Sequence, residues 1–397
     1  MHEDFPVGIH DISFATGHYV LEHRELARHT GVDVDKYHLG IGQEAMSLPA
    51  ADEDIVTMAA AAAWPIIDRH GTAEIRTVLL ATETAVDQAK SAGLYVHSLL
   101  GLPSAARVLE LKQACYGATA ALQFAAALVC RDPAQRVLVI ATDVAKYDLD
   151  SPGEPTQGAA ATAMLVTADP AILRLDSPSG LFAADIMDFW RPNYRSTAVV
   201  DGKMSVTAYL QAVEGAWKDY VEQGGRPIQE FAAFCYHQPF TKMAFKAHRH
   251  LAEFTGLGTE SDHIHDAIHS TTIYNRVIGN SYTASLYVGL ASLLDHRGDL
   301  ADRPIALFSY GSGSVAEFFG GTVVPGYRDQ MRTAAHRSAI ADRRPIDYLG
   351  YRSLHEMTLP TDGGDHALVE EALGPFRLAG LSGHKRIYQV RPGDSRQ

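Results

Sequence analysis

Three residues of this 397-residue chain carry side chains suited to acyl chemistry, and each sits where local structure should change. Cys115 heads the small-residue run "ACYGATAAL". If a helix begins there, its thiol faces unpaired backbone N–H groups and the positive end of the helix dipole, which lowers a thiol pKa and favours a nucleophilic thiolate. Read alone, it fits a buried core thiol equally well. Glu83 follows the apolar run "TVLLAT" (77–82). A carboxylate at the C-terminal end of a strand in an α/β sheet stands where ligands usually bind, and burial raises its pKa towards the range useful for proton transfer. An acid favoured by a helix N-terminus would look the same. His237 closes "FAAFCY" (231–236) just before Pro239. An imidazole there can hydrogen-bond a carbonyl oxygen or move a proton near neutral pH. With 19 histidines in the chain, one alone decides little.

Asn280 in "GNSY" and Ser312 in "YGSGS" occupy corresponding places further along. An amide and Gly-flanked backbone N–H groups make suitable oxyanion donors, although a helix cap and a tight turn explain them too. The GxG here lacks the rest of a dinucleotide fingerprint. Lys242 and Lys246, four apart in "TKMAFKAHRH" (241–250), share a helical face and form a candidate phosphate patch or a solvated face. Cys130 and Cys235 read as buried, inert thiols.

These residues need a scaffold that brings strand ends together. Strands are expected at 77–82, 107–111 and 136–142, with helices at 85–100 and 115–130, the latter apolar nearly all round and hence buried. The second half repeats the plan: a strand at 231–236, a helix starting near Asn280, and a strand at 304–313 running into a Gly-rich turn. Near-continuous apolar strands imply a sheet covered on both faces. The recurring order points to an internal duplication. Residues 185–205 read as an irregular loop before a helix at 206–223.

The bulk properties narrow the partners. The formal charge of −13 argues against nucleic acid, and any anionic ligand needs a local basic patch. Three cysteines without close spacing suggest reduced thiols in a cytoplasmic setting and no metal cluster. The first residues carry no apolar leader, and the longest apolar run, "MAAAAAWPII", is short of a membrane span.

The motifs together resemble those of the 3-hydroxy-3-methylglutaryl-CoA synthases, members of the thiolase-like superfamily. The likeness spans nearly the whole chain through "GIGQEAM", "ATETAVDQAK", "LKQACYGATAALQ", "VIATDVAKY", "GEPTQGA", "DFWRP", "VDGKMS", "HQPFTKM", "GNSYTASLY" and "SYGSGSVAEF". It implies an α/β fold of five layers, αβαβα, built from two duplicated halves: residues 1–168 carrying Glu83 and Cys115, and 169–397 carrying His237 and Asn280. It also implies a homodimer. By the same resemblance Cys115 accepts an acetyl group, Glu83 is the acid/base, and His237 contacts the acceptor carbonyl. Asn280 and Ser312 bind substrate oxygens, Lys242 and Lys246 lie towards phosphopantetheine or CoA phosphates, and Tyr147, Thr156 and Ser205 match further substrate-contacting positions.

The stretch 185–205 and the C-terminal "AGLSGHKRIYQV" look more like the polyketide β-branching branch, whose enzymes act on substrates tethered to acyl carrier proteins. The expectation is therefore a condensing acyltransferase. It adds a Cys-bound acetyl group to the β-carbonyl of a β-ketoacyl carrier protein and then hydrolyses the Cys thioester, with no tightly bound cofactor. Arg24, Arg28, Lys242, Lys246 and Arg249 are candidates for docking an acidic carrier. The alternatives are the mevalonate-type enzyme, acting on acetyl-CoA and acetoacetyl-CoA, and a non-catalytic carrier-binding protein of the same fold.

Overall fold

The computed structural model describes residues 6–391. The outer ends of the two expected halves, residues 1–5 and 392–397, lie outside them, and so do the first positions on which the expected absence of a leader rests. Nine strands form one sheet: β1 (Gly8–Thr16), β2 (Ile75–Ala81), β3 (Arg107–Leu111), β4 (Arg136–Val144), β5 (Ala159–Thr167), β6 (Leu173–Ala183), β7 (Phe234–Tyr236), β8 (Pro304–Gly311) and β9 (Val315–Val323). Their order is β7-β8-β9-β6-β1-β5-β4-β2-β3.

The order is two copies of one pattern, read outward from the centre. In the first half β1 and β5 are antiparallel, β5 and β4 antiparallel, and β4 and β2 parallel. In the second half β6–β9, β9–β8 and β8–β7 repeat those relations in turn. The halves join through a short antiparallel contact, Gly8 with Arg174 and Ile9 with Leu173. A Cβ on Gly8 would stand 2.0 Å from the Leu173 carbonyl oxygen, so only glycine permits this approach.

Helices fill three layers. α2 (Ile55–His70) and α3 (Ala92–Leu99) cover the outer face of the first half-sheet; α1 (His23–Thr30) lies at the periphery. α4 (Gly117–Arg131) and α7 (Ser285–His296) pack between the half-sheets, and α5 (Gly202–Glu222) and α6 (Lys242–Thr255) cover the second. The strand alternation shows why. Along β4, Leu138 and Ile140 face the outer core while Val137, Val139 and Ala141 face the centre. Along β8, Ala306, Phe308 and Tyr310 face outward and Ile305 and Leu307 face the centre. Both faces are apolar because both are covered.

Several local expectations are corrected. The helix read at 85–100 is only Ala92–Leu99, because Ser91 caps it by accepting from Gly93 N and the chain before it is a loop. The helix expected near Asn280 begins at Ser285 after a 3-10 turn, Tyr282–Ala284. β7 is three residues rather than six. α4 is not buried all round: Ala118, Ala121, Leu122, Ala125 and Val129 face the core, while Phe124 is 55% exposed. Cys130, expected to be buried, is exposed on that same open face. Cys235 is buried. Within 185–205 two short strands, Phe189–Trp190 and Val199–Val200, pair as a ribbon.

Candidate active site

β2 and β4 are parallel neighbours, so their C-terminal ends bring residues 82–84 against Asp143. The buried Asp143 carboxylate organises this edge. Its Oδ1 accepts from Thr82 Oγ1 at 2.7 Å, Glu83 N at 2.9 Å, Thr84 N at 3.0 Å and Thr84 Oγ1 at 2.6 Å. Its Oδ2 accepts from Thr283 N at 3.0 Å and from the Thr283 hydroxyl. Thr283 belongs to the second half, so one carboxylate ties the two halves beside Glu83. Burial pushes its acidity towards the neutral form, and these donors oppose that. Sequence reasoning passed over Asp143. Its signal was the same as that of Glu83: an acid at the end of an apolar strand.

β3 leads into a tight turn that presents Cys115. Ala114 has φ +43°, a left-handed conformation that costs a non-Gly residue about 1–3 kcal/mol. The end of β8 lies against the turn: a Cβ on Gly311 would stand 2.5 Å from Gln113 O and 2.7 Å from Tyr116 N. Gln113 Nε2 donates to the Ser312 carbonyl at 3.3 Å. The Cys115 turn is thus held by the end of β8, a strand of the other half.

Cys115 Sγ donates to Glu83 Oε1 at 3.1 Å. α4 begins two residues later, and the direction expected from its dipole is overturned. Burial first, then the Glu83 charge and hydrogen bond, push the Cys115 thiol well up. Burial and the Asp143 charge push Glu83 up to about 8, against the pull of the thiol hydrogen bond and Arg191. The resting sulfur is a thiol hydrogen-bonded to the group that can take its proton.

Around this pair lie Ala145, Tyr147, Phe189, Ala198 and Tyr282. A cavity of about 180 Å³ opens on the Glu83 side. Tyr147 is buried with its ring edge-on to Phe189 and Tyr282; burial and the charges of Cys115 and Glu83 push its hydroxyl up. Asn280 is buried: its N donates to Thr156 O at 3.0 Å, and its Oδ1 accepts from Tyr282 N at 2.9 Å. Tyr147, Thr156, Asn280 and Tyr282 therefore form one connected wall.

His237 follows β7. Its N donates to Phe308 O at 2.9 Å, and its carbonyl accepts from the Tyr209 hydroxyl at 2.7 Å. Its Nδ1 is buried with no hydrogen-bond partner among the described residues. Burial pushes the imidazole down to about 3, so it is neutral at working pH. Tyr209 also stacks beside the His237 ring at 6.5 Å between centres, and burial, then the charges of Tyr236, Tyr310 and Cys115, push its hydroxyl up. The Gly-rich loop after β8 is braced by Asp188, which accepts from the Tyr310 hydroxyl at 3.0 Å and Gly313 N at 2.9 Å.

Other expected residues stand apart. Ser205 lies in the first turn of α5, and its N donates to Asp201 O. Lys242 and Lys246 are exposed on α6. Lys242 Nζ donates to Leu39 O at 2.7 Å, and Lys246 Nζ lies 5.3 Å from the Phe240 ring centre. Arg24, Arg28 and Arg249 are exposed. No hydrogen bond or ion pair among the described residues joins any of these to Cys115 or Glu83. Among the described residues no group of three or more His, Cys, Asp or Glu could hold a metal ion.

Comparison with known proteins places this geometry. The hydroxymethylglutaryl-coenzyme A synthase N-terminal family profile matches residues 4–171, and the corresponding C-terminal profile matches 173–256 and 255–343. The chain is 41% identical over 385 residues to a hydroxymethylglutaryl-CoA synthase of Enterococcus faecalis, covering 96% of this chain and 99% of that one. It is 32% identical over 349 residues to a polyketide biosynthesis 3-hydroxy-3-methylglutaryl-ACP synthase of Bacillus subtilis, covering 82% of each. A crystal structure of an HMG-CoA synthase complexed with CoA superposes with a TM-score of 0.92 at 40% identity, covering 97% of this chain and 100% of that one.

Proposed function

The chain belongs to the hydroxymethylglutaryl-CoA synthase family and is a condensing enzyme of that type; from that premise we propose that it joins an acetyl group carried on Cys115 to the β-carbonyl of a β-ketoacyl thioester. The observation that carries the reading is the 3.1 Å contact between Cys115 and Glu83, with the orphaned imidazole nitrogen of His237 on the opposing half.

The Cys115 proton passes to Glu83 as sulfur attacks the acetyl thioester, and the departing thiol takes that proton away. Backbone N–H groups near Cys115 and Ser312 hold the oxyanion. Glu83, now a carboxylate, removes a proton from the acetyl methyl group. The enolate adds to the acceptor β-carbonyl, which neutral His237 and Asn280 polarise by hydrogen bonding. Glu83 returns its proton to the new tertiary alkoxide. Water then cleaves the Cys115 thioester. Tyr147 and Thr156 wall the acyl site, and Lys242 and Lys246 serve the phosphates of the incoming carrier.

CoA thioesters are our first reading of the substrates: acetyl-CoA as donor and acetoacetyl-CoA as acceptor. The 41%-identical Enterococcus faecalis relative and the CoA-bound structural neighbour support it. The second reading, carrier-protein-bound substrates for polyketide β-branching, draws on the Bacillus subtilis relative and on exposed Arg24, Arg28 and Arg249. Intact-mass analysis of acyl transfer separates them. Faster acetylation of Cys115 by acetyl-CoA than by acetyl-carrier protein supports the first, and the reverse the second. No acetylation of wild type, or equal label on Cys115→Ser, removes the covalent mechanism.

The working unit in this reading is a homodimer. β3 is an open edge strand with Leu109 51% exposed, and Phe124 on the following helix is exposed as well. Sedimentation of a monomer at micromolar concentration would overturn this part.

A further inference from the structure

Two residues with cationic side chains, Lys146 and Arg191, line the cavity beside the Cys115–Glu83 pair. Its lining includes Glu83, Thr84, Lys146, Arg191, Ser196 and Tyr282. Arg191 Nη2 donates to the Glu83 carbonyl at 3.0 Å, which leaves most of its five N–H donors free. Lys146 is pinned by its backbone: its N donates to the Tyr282 hydroxyl at 3.3 Å and its carbonyl accepts from Ala198 N at 3.1 Å. Its ammonium group has no hydrogen bond or ion pair among the described residues. Burial pushes its pKa down. A half-buried, unpaired ammonium is costly unless an anion arrives.

The reaction supplies one. The acetyl donor and the β-ketone are neutral where they react. A stable new anion forms only at the end, after water's oxygen bonds to the acyl carbon held on Cys115; the earlier oxyanion, enolate and alkoxide are transient. The carbon–sulfur bond then breaks with its electron pair on sulfur, sulfur takes one proton, and the carboxylic acid so formed ionises. That carbonyl carbon sits on Cys115, whose sulfur contacts Glu83 at the cavity wall. Phe189, Ala198 and Tyr282 belong both to the cluster around Cys115 and to the cavity lining.

We propose that Lys146 and Arg191 form a subsite that receives the carboxylate released from Cys115. The inference rests on the proposed function and names the anionic end of the product as the ligand of this cavity. A cationic subsite there draws the product's free end away from sulfur and opposes re-formation of the thioester.

The test compares two ligands on the full-length protein in a Cys115→Ser background, which blocks turnover. One is 3-hydroxy-3-methylglutaryl-CoA; the other is 3-hydroxy-3-methylbutyryl-CoA, which lacks only the distal carboxylate group. Titration calorimetry on Lys146→Met and Arg191→Met should show binding of the first weakened about tenfold or more, the loss of a charged hydrogen bond, with the second unchanged. Lys146→Arg, which keeps the charge, should restore most of the difference. Equal weakening of both ligands, no weakening of either, or no preference of the parent for the carboxylate-bearing ligand would overturn the subsite. Failure of the parent reading shows separately, as wild-type Cys115 that takes no acetyl group.

Discussion

Cys115 and Glu83 stand 3.1 Å apart on loops that leave neighbouring parallel strands, and the thiol donates to the carboxylate. In the proposed mechanism these are nucleophile and base, and they share one proton at rest. Moving it from sulfur to oxygen creates the nucleophile without changing the net charge of a buried site. This differs from activation by a helix dipole. It explains how a thiol pushed up by burial can still react: its proton acceptor is already in contact and itself sits at about 8.

Glu83→Gln should still accept acetyl on Cys115 but form condensed product about 10²- to 10⁴-fold more slowly, the usual range for a lost general base. Intact mass reads the first step and product formation the second. Condensation at the wild-type rate would sink the acid/base assignment.

The pH dependence follows with a definite sign. As base, Glu83 works as the carboxylate, so the condensation rate should rise with pH through about 8. Asp143 raises that value by its like charge, so Asp143→Asn should move the acid limb to lower pH. An unmoved limb counts against the coupling. In folding, a carboxyl raised above its ordinary value binds its proton more tightly in the native state. Its contribution is present below the ordinary carboxylate pKa and lost as pH rises through about 8. The unfolding temperature of Glu83→Gln should accordingly fall less than that of wild type between roughly pH 5 and 9.

His237 is expected to act as a neutral donor. Burial holds it at about 3, so no histidine limb should appear in the acceptor-dependent rate between roughly pH 5 and 7. His237→Ala should leave acetylation intact and raise the acceptor KM by roughly tenfold or more, with His237→Asn recovering part of it through its amide donor. Slowed acetylation in both variants would assign the residue elsewhere.

Gly311→Ala tests the contact between the halves. The added methyl group would press on Gln113 O and Tyr116 N, the backbone that sets the Cys115 turn. Acetylation should fall by more than the loss of folded protein accounts for, measured by intact mass beside a thermal melt. Wild-type acetylation would show that the turn tolerates displacement.

Much of the scaffold was legible in the chain. The apolar run 136–142 carries its strand character locally, because a strand covered on both faces must be apolar throughout; 107–111, a partly exposed edge strand, keeps only an alternating apolar side. The repeated order of strand and buried helix pointed to the duplication that the sheet displays. Element starts were less legible. Helical spacing at 85–91 was outweighed by the Ser91 cap and by Asp143, which gathers 82–84 into a loop. The exposed face of α4 was invisible for a related reason: composition records how apolar a helix is, not which of its faces meets a neighbour.

The sequence by itself determined which residue types could do acyl chemistry and that each would stand near the end of a strand or helix, since hydrophobic period and turn residues act over a few positions. Only the tertiary structure decided that Cys115 meets Glu83, that Asp143 ties both halves beside them, and that the thiol is pushed up rather than down. Proton affinity depends on burial and on charges a few ångströms away, and those neighbours come from segments that are far apart along the chain.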